Sequence, residues 1–421
     1  MEKFTQLHMH TCFSIYDAIN TPEEMVQKAV EKGHPAIAIT DHGVMGGCYR
    51  LQKAALKNGI KPILGMEGYV VNELINMDGK KRTRVPNNHI ILLAKNNEGW
   101  HSLLKLNYLG NSDDDHFYYK PRFTFDELWN NKNGLIVSSA CLAGPMARLL
   151  LDGKEKEADQ LFDKFADEFK DDFYAEVQIN EIKNQKVYDD WLINKANSKG
   201  VPIIITGDCH YANPDGALTQ QLSFSIRSDD DKEVGEQFQC KHLYYHGIQD
   251  YKNLNKEFPY NYTEEQINEW TSNTCLVAEK INFLMPERTK MFLPRQAFDE
   301  NKTLEEKAKK GLAKHFNCEY KDCPEEYRDR LETEFSLMWK KGIARYILTL
   351  DDICEWCDGE GKVSRNVGRG SASGSLTLTC LGITGWAIDP IKNKLLFSRF
   401  ISEQRLPDCM IDYSKSGNGG K

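Results

Sequence analysis

Apolar residues gather in short runs along the first half of the chain, at Phe4–His10, Ala36–Asp41, Lys61–Val71, His89–Ala94, Leu135–Ser139, Phe173–Ile179 and Pro202–Asp208. Runs of this kind, rich in Ile, Val and Leu and bounded by glycine, proline or polar clusters, read as strands. Between most of them the apolar spacing changes to that of an amphipathic helix, at Pro22–Lys32, Cys48–Lys57, Glu98–Tyr108, Lys154–Phe169 and Gln185–Ser198. Thr21-Pro22-Glu23-Glu24 supplies an N-cap, a first-turn proline and then acids. Gly33, Gly59 and Gly200 follow helix ends, where a left-handed residue closes the last turn. Seven strands alternating with helices predict a parallel α/β sheet or barrel, with its chemistry at the strands' carboxyl ends.

The pattern then changes. Ser225–Gln239 is polar, and Arg227-Ser-Asp-Asp-Asp-Lys within it reads as an exposed loop. Helical spacing follows at Glu264–Asn282, Leu304–Phe316 and Glu325–Lys340, interrupted by Met285-Pro286 and Leu293-Pro294. A domain boundary is therefore expected near Asn282, separating residues 1–282 from 283–421. A chain of 421 residues exceeds one ordinary core, and 40% apolar with 28% charged residues describes a soluble globular protein. No apolar run approaches a membrane span, and the N-terminus lacks a signal peptide's basic-then-apolar order. Twelve scattered cysteines predict reduced thiols and a cytoplasmic setting. Cys354-Glu-Trp-Cys357 lies inside an amphipathic helical pattern and reads as helix residues ahead of a zinc knuckle. The net charge of −8 is uneven: from Gly361 onward nine Lys and Arg face four Asp and Glu, a local basic surface of the kind a phosphate backbone needs.

Candidate chemistry begins at Leu7-His8-Met9-His10. Side chains two apart on a strand share a face, so His8 and His10 present two imidazoles together, a pairing suited to a transition metal. Asp17 follows. Strand two ends in Thr40-Asp41-His42-Gly43, strand three carries Glu67, and His89 opens strand four, against the end-of-strand rule. Strand five runs into Ser139-Ala140-Cys141 and strand seven into Gly207-Asp208-Cys209-His210. Each alone reads as a capping acid, a satisfied imidazole or a small buried thiol. Their recurrence along one rim predicts a multinuclear metal site. Glu176 in strand six faces the same way, as a ligand or as structure.

His8-x-His10, Thr40-Asp41-His42-Gly43, the His89 strand, Cys141 and Asp208-x-His210 resemble the polymerase-and-histidinol-phosphatase (PHP) domain. More narrowly, Phe4–Tyr69, Pro121-Arg122-Phe123, Ser138–Gly144 and Gly207–Tyr211 resemble the version that opens the alpha subunits of bacterial replicative DNA polymerase III. The resemblance implies a distorted seven-stranded β/α barrel with up to three metal ions on its rim. It implies His8, His10, Asp17, His42, Glu67, His89, Cys141, Asp208 and His210 as ligands, and Asp41 as a ligand or the partner of one. Imidazole, carboxylate and thiolate donors together suit Zn2+ or Mn2+ better than Mg2+ or Ca2+. The implied reaction is metal-dependent phosphodiester hydrolysis that removes nucleotides from a 3′ primer end. Two other readings are a free-standing phosphatase of the histidinol-phosphate type and a non-catalytic, metal-stabilised docking scaffold.

A second informative stretch, Val367-Gly-Arg369-Gly370-Ser371-Ala-Ser373-Gly374-Ser375, leads into the apolar helix pattern Leu376–Leu381. Its glycines permit close approach, Arg369 and the hydroxyls suit phosphate oxygens, and the helix start offers free N–H groups to an anion. With Leu381-Gly-Ile-Thr384, Asp389-Pro390 and Leu395-Leu-Phe-x-Arg-Phe400 it resembles the palm of the same polymerase family. That implies contacts of Arg369, Gly370 and Ser371 with the triphosphate of a deoxynucleoside triphosphate. The family's magnesium-binding Pro-Asp-x-Asp-x-Asp reads here Pro407-Asp408-Cys409-Met410-Ile411-Asp412. Met410 replaces one carboxylate, and a thioether does not bind hard Mg2+. Asp412 is the implied retained acid, with Asp408 farther from the reacting centre. The expectation is a PHP barrel, a helical connector and a truncated α+β palm. The chain reads as the leading part of a polymerase or one product of a split gene. It would act on DNA primer-template with the remaining polymerase segments or replisome subunits, and would not polymerise alone.

Overall fold

Seven strands make one curled sheet in the computed structural model, which describes residues 3–74, 87–227, 240–286, 293–361, 363–364, 368 and 370–404. They are β1 (Ala36–Ile39), β2 (Lys61–Val71), β3 (Asn88–Ala94), β4 (Phe123–Thr124), β5 (Leu135–Ser138), β6 (Phe173–Gln178) and β7 (Ile203–Thr206). The order is β1-β2-β3-β5-β6-β7, with β4 beside the end of β2. The sheet is mixed, not parallel as expected: β3 pairs antiparallel with both β2 and β5, while the other pairs are parallel. One reversed strand accounts for both exceptions. The sequence between β2 and β3 carries no helical spacing, and strands joined without a crossover helix pair antiparallel.

Alternation along the strands feeds two apolar layers. Ile37, Ile39, Leu64, Leu92, Val137 and Ile205 pack with the helices of one face, including Met25, Leu51 and Phe162. Ala36, Ala38, Ile63, Ile91, Ile136 and Ile204 pack with Val277, Ala278 and Ile281 on the other. Both faces are covered, which is why the strands read as near-continuous apolar runs. Each fully buried Leu or Ile contributes roughly 1.5–3 kcal/mol. Thr21 starts Pro22–Glu31 with a reciprocal capping box to Glu24, as its sequence implies.

Phe4–His10 differs from the expected first strand. It makes isolated parallel bridges, Gln6 to Ile37 and Met9 to Cys209, and forms no ladder. Leu7 and Met9 were expected on one face, yet they enter different apolar layers because the chain bends at His8. Ala38 N donates to Gln6 O and Thr40 N to Met9 O (both 2.9 Å), while His10 N donates to Cys209 O at 2.8 Å. The segment therefore ties the β1 edge to the chain leaving β7, and brings His8 and His10 between the two edges.

The chain divides into two compact units, Met1–Met285 and Pro286–Lys421. The described residues of the second unit are helical, at Glu300–Phe316, Glu325–Lys341, Ala344–Asp358 and Leu376–Cys380, and no strand occurs among them. The strand that would give this unit its expected α+β character falls outside them. The segment read as the acid-bearing strand, with Asp408, Met410 and Asp412, lies outside the described residues, as do Arg369 and most of the polar loop after Arg227. Cys354 and Cys357 both lie on Ala344–Asp358. Gly311 sits mid-helix because a Cβ there would lie 1.9 Å from the Cys380 carbonyl oxygen, so the two helices approach backbone to backbone. Among the described residues no helix is long and apolar enough to cross a membrane.

Candidate functional site

The reversal of β3 explains the position of His89. Because this strand runs against its neighbours, its first residues reach the rim where the other strands end. Tyr69 pairs with His89 and Glu67 with Ile91 across β2 and β3. His8, His10, Asp17, His42, Glu67, His89, Cys141, Asp208 and His210 are thereby brought together.

Glu67 is the hub of this pocket and is fully buried. Its Oε1 lies 2.9 Å from His89 Nδ1, 3.4 Å from His8 Nε2 and 3.9 Å from Cys141 Sγ. Its Oε2 lies 2.5 Å from His42 Nδ1 and 3.5 Å from His10 Nε2. Asp208 Oδ1 faces both His8 Nε2 (3.1 Å) and His10 Nε2 (3.2 Å). Asp17 reaches His42 Nε2 at 3.1 Å and His210 Nε2 at 3.5 Å. The ring of His10 stacks on those of both His42 and His210, at 4.1 Å and 4.4 Å between centroids, with those two 5.7 Å from each other. Three triads each bring their donor atoms within 4.8 Å of one another: His10, His42 and His210; His8, His10 and Glu67; and His42, Glu67 and His89.

A layer of partners sets which imidazole nitrogens face inward. Glu176, fully buried, accepts from His8 Nδ1 at 2.6 Å and is itself held by Thr206 Oγ1 (2.6 Å), Gln178 and Ser138. A carboxylate only accepts, so the proton sits on His8 Nδ1 and Nε2 points at the pocket. His210 Nδ1 likewise donates to the Asp208 carbonyl at 2.8 Å, leaving Nε2 toward Asp17. Asp41 is turned away from the pocket. Its carboxylate accepts from Thr11 N (2.6 Å), Thr11 Oγ1 (2.8 Å) and Ser14 Oγ (2.8 Å), and Ser14 Oγ stands 3.2 Å from His10 Nδ1. Asp41 thus reaches His10 through Ser14.

The electrostatics are those of a crowded anionic pocket. Burial opposes charge on every group, yet Asp17, Glu67 and Asp208 all keep their carboxyls well below the usual range because imidazoles surround them. Burial also lowers imidazole values, but Asp208, Glu176 and Glu67 outweigh it at His8, whose value is raised. His42 is pushed up to about 10 against its burial, by Glu67 and Asp17. His10 is held at about 3 by burial and by the neighbouring His42 and His210. Burial, then Asp208 and Glu67, push the Cys141 thiol up. A divalent cation suits this donor set: His42 Nδ1, Glu67 Oε2 and Asp208 Oδ1 are buried and face one another or neighbouring imidazoles at 2.5–3.2 Å without a well-aligned hydrogen bond, and a cation would favour the Cys141 thiolate.

In the second unit, Gly370–Gly374 forms a single 3-10 turn ahead of Leu376–Cys380, with Gly370 and Ser371 exposed. The helix start does not offer free N–H groups, contrary to the expectation. Leu376 N and Thr377 N both donate to the buried carboxylate of Glu334 at 2.9 Å, and Leu378 N donates to Ser375 Oγ at 3.3 Å. An internal carboxylate closes the end that an anion would need.

Residues 6–180 match the PHP domain family, and residues 302–418 match the bacterial DNA polymerase III alpha NTPase domain. The DNA polymerase III alpha subunit of Aquifex aeolicus is 34% identical over 97% of this chain, and that of Chlamydia trachomatis is 32% identical over 98%. The chain is a homologue of these alpha subunits. It spans 36% and 37% of their lengths. Among solved structures, an amidohydrolase from Chromobacterium violaceum is similar over 49% of this chain and 87% of its own, at 15% identity and a TM-score of 0.33. In this alpha-subunit homologue the PHP match contains every pocket residue except Asp208 and His210, which follow it on the chain leaving β7. Reading the sequence alone did not single out Ser14. Its signal was the short spacing to His10, which suits a hydroxyl reaching back to a ring nitrogen.

Proposed function

We propose that the first unit is a metal-dependent phosphodiesterase acting on the 3′ end of DNA, within a longer polymerase alpha subunit. The observation that carries the reading is the ring of donors around Glu67, in which three overlapping triads bring their ligand atoms within 4.8 Å of one another. His8, His10, Asp17, His42, Glu67, His89, Cys141, Asp208 and His210 would hold two or three ions, for which Zn2+ and Mn2+ suit the imidazole and thiol donors. Bound there, such ions would supply Lewis acidity to water and to a phosphoryl oxygen. The chain's own residues contribute orientation. Glu176 holds His8, the Asp41–Ser14 pair holds His10, and Asp17 and Asp208 keep a solvent edge where substrate enters. The second unit would contribute Arg369, Gly370 and Ser371 to a deoxynucleoside triphosphate, and Asp412 with Asp408 to Mg2+, in a cytoplasmic replisome with DNA primer-template. Met410 makes polymerisation by this chain alone an unexpected outcome.

The test is incubation with Mn2+ and an end-labelled primer. Mononucleotides released from the 3′ end are expected, and a His10→Ala preparation should release none. Hydrolysis of small phosphomonoesters only would replace the proposal with a phosphatase, and bound metal without hydrolysis would replace it with a scaffold. A separate expectation concerns Glu176. Glu176→Ala frees the His8 ring, and metal affinity measured by competition with a chelator should fall about 10–100-fold. An unchanged affinity would show that His8 needs no partner.

A further inference from the structure

We propose that Tyr16 and Tyr119 are stacking residues that make this pocket select a single-stranded oligonucleotide end over a small phosphate ester. The inference rests on the hydrolytic reading above and names its substrate class. Both tyrosines adopt the left-handed backbone, at φ 65° and 61°, where a side chain costs stability that glycine would not. Neither ring repays that cost by burial, since Tyr119 is 82% exposed and Tyr16 49%, with Ile15 beside it at 71%. Strained residues gather at functional sites, and the Tyr119 ring, which meets Tyr118 edge-on at 4.6 Å, keeps its exposed surface for a further partner.

Their placement ties both to His42. Tyr16 precedes Asp17, whose carboxylate lies 3.1 Å from His42 Nε2. Tyr119 is the tip of a tight hairpin in which Tyr118 pairs with Lys120. Lys120 Nζ donates to the Tyr69 hydroxyl at 3.0 Å, and the Tyr69 ring stacks 6.0 Å from His42 and meets His89 edge-on at 5.2 Å. Pro121, which closes the hairpin, packs so near Gly43 that an added Cβ would lie 2.7 Å from its ring. A phosphate ester without bases gains nothing from such rings. Unpaired nucleobases do, because each offers a face to stack, whereas bases inside a duplex have both faces covered. The Lys120 ammonium beside the hairpin tip matches the negative backbone of that occupant.

The experiment compares the parent protein with Tyr16→Gly, Tyr119→Gly and Tyr119→Phe, in Mn2+, on a single-stranded oligothymidylate and on glycerophosphoglycerol, a phosphodiester without rings. Each glycine variant should raise KM for the oligonucleotide about tenfold while kcat holds, and its thermal midpoint should equal or exceed the parent's because the backbone is relieved. Tyr119→Phe keeps a ring and should restore the parent KM. Glycine variants with parental KM would overturn the stacking platform while leaving the hydrolytic reading intact. A parent that cleaves neither compound would overturn that reading, and the inference with it.

Discussion

Glu67→Ala is expected to strip the pocket of its divalent cations and to lower phosphodiester hydrolysis by at least ~100-fold. No other side chain in the pocket touches so many of its donors. Glu67 contacts His8, His10, His42, His89 and Cys141 at 2.5–3.9 Å. Its charge leads the offset to burial at His42 and adds to those of Asp208 and Glu176 at His8, so removing it leaves closely packed imidazoles with less negative charge to balance a cation. Glu67→Gln separates charge from packing. The amide keeps the volume and one acceptor oxygen but removes the negative charge and replaces the other oxygen with an N–H₂ that cannot ligate a cation. It should therefore lose metal nearly as completely as alanine does. Elemental analysis after dialysis, together with oligonucleotide hydrolysis, decides the matter. A Glu67→Ala protein with parental metal content and rate would remove the hub from the mechanism.

Local rules carried the sequence reading far at individual positions and failed where distant segments act together. The capping box at Thr21 and the helices that begin near Cys48 and Glu325 depend on neighbours within a few residues, and their signals survive in one dimension. His89 looked misplaced at the start of a strand because the reversal of β3 is a property of the sheet. Phe4–His10 followed strand alternation for its histidines and broke it for Leu7 and Met9, since its partners are the two sheet edges and not one continuous neighbour. Asp41 shares a tetrapeptide with His42, yet the two turn to different partners, a rotamer choice that spacing does not encode. The helix start at Leu376 read as an open anion site because Glu334, forty-odd residues earlier, gives no local sign of reaching it. The functional elements that were legible, the His8–His10 pair and the acids at strand ends, are those where residue type alone limits the chemistry.

Glu334→Ala should cost the second unit about 3–5 kcal/mol, the range for breaking a buried ion pair by removing one partner. The carboxylate has no exposed surface and accepts from Ser375 Oγ, Leu376 N, Thr377 N and Thr377 Oγ1, all at 2.9 Å. Arg330 Nε pairs with it at 2.8 Å, and the same guanidinium donates to the Gly374 carbonyl at 2.7 Å and the Leu395 carbonyl at 3.1 Å. Alanine leaves two backbone N–H groups, two hydroxyls and the guanidinium buried or half-buried without their acceptor. Glu334→Gln retains one acceptor oxygen but aims an amide N–H₂ at groups that are already donors, so a smaller loss of about 1–3 kcal/mol is expected. Urea unfolding followed by tryptophan fluorescence reads the second unit through Trp339, Trp356 and Trp386 once Trp100, Trp129, Trp191 and Trp270 of the first are replaced by Phe in parent and variant alike. Hydrolysis and bound metal in the first unit should be unchanged, because Glu334 and its partners belong to the second. A transition that Glu334→Ala leaves within about 0.5 kcal/mol of the parent would show that water replaces the carboxylate at Leu376 and Thr377. The helix start would then be open to an outside anion, as its sequence first suggested.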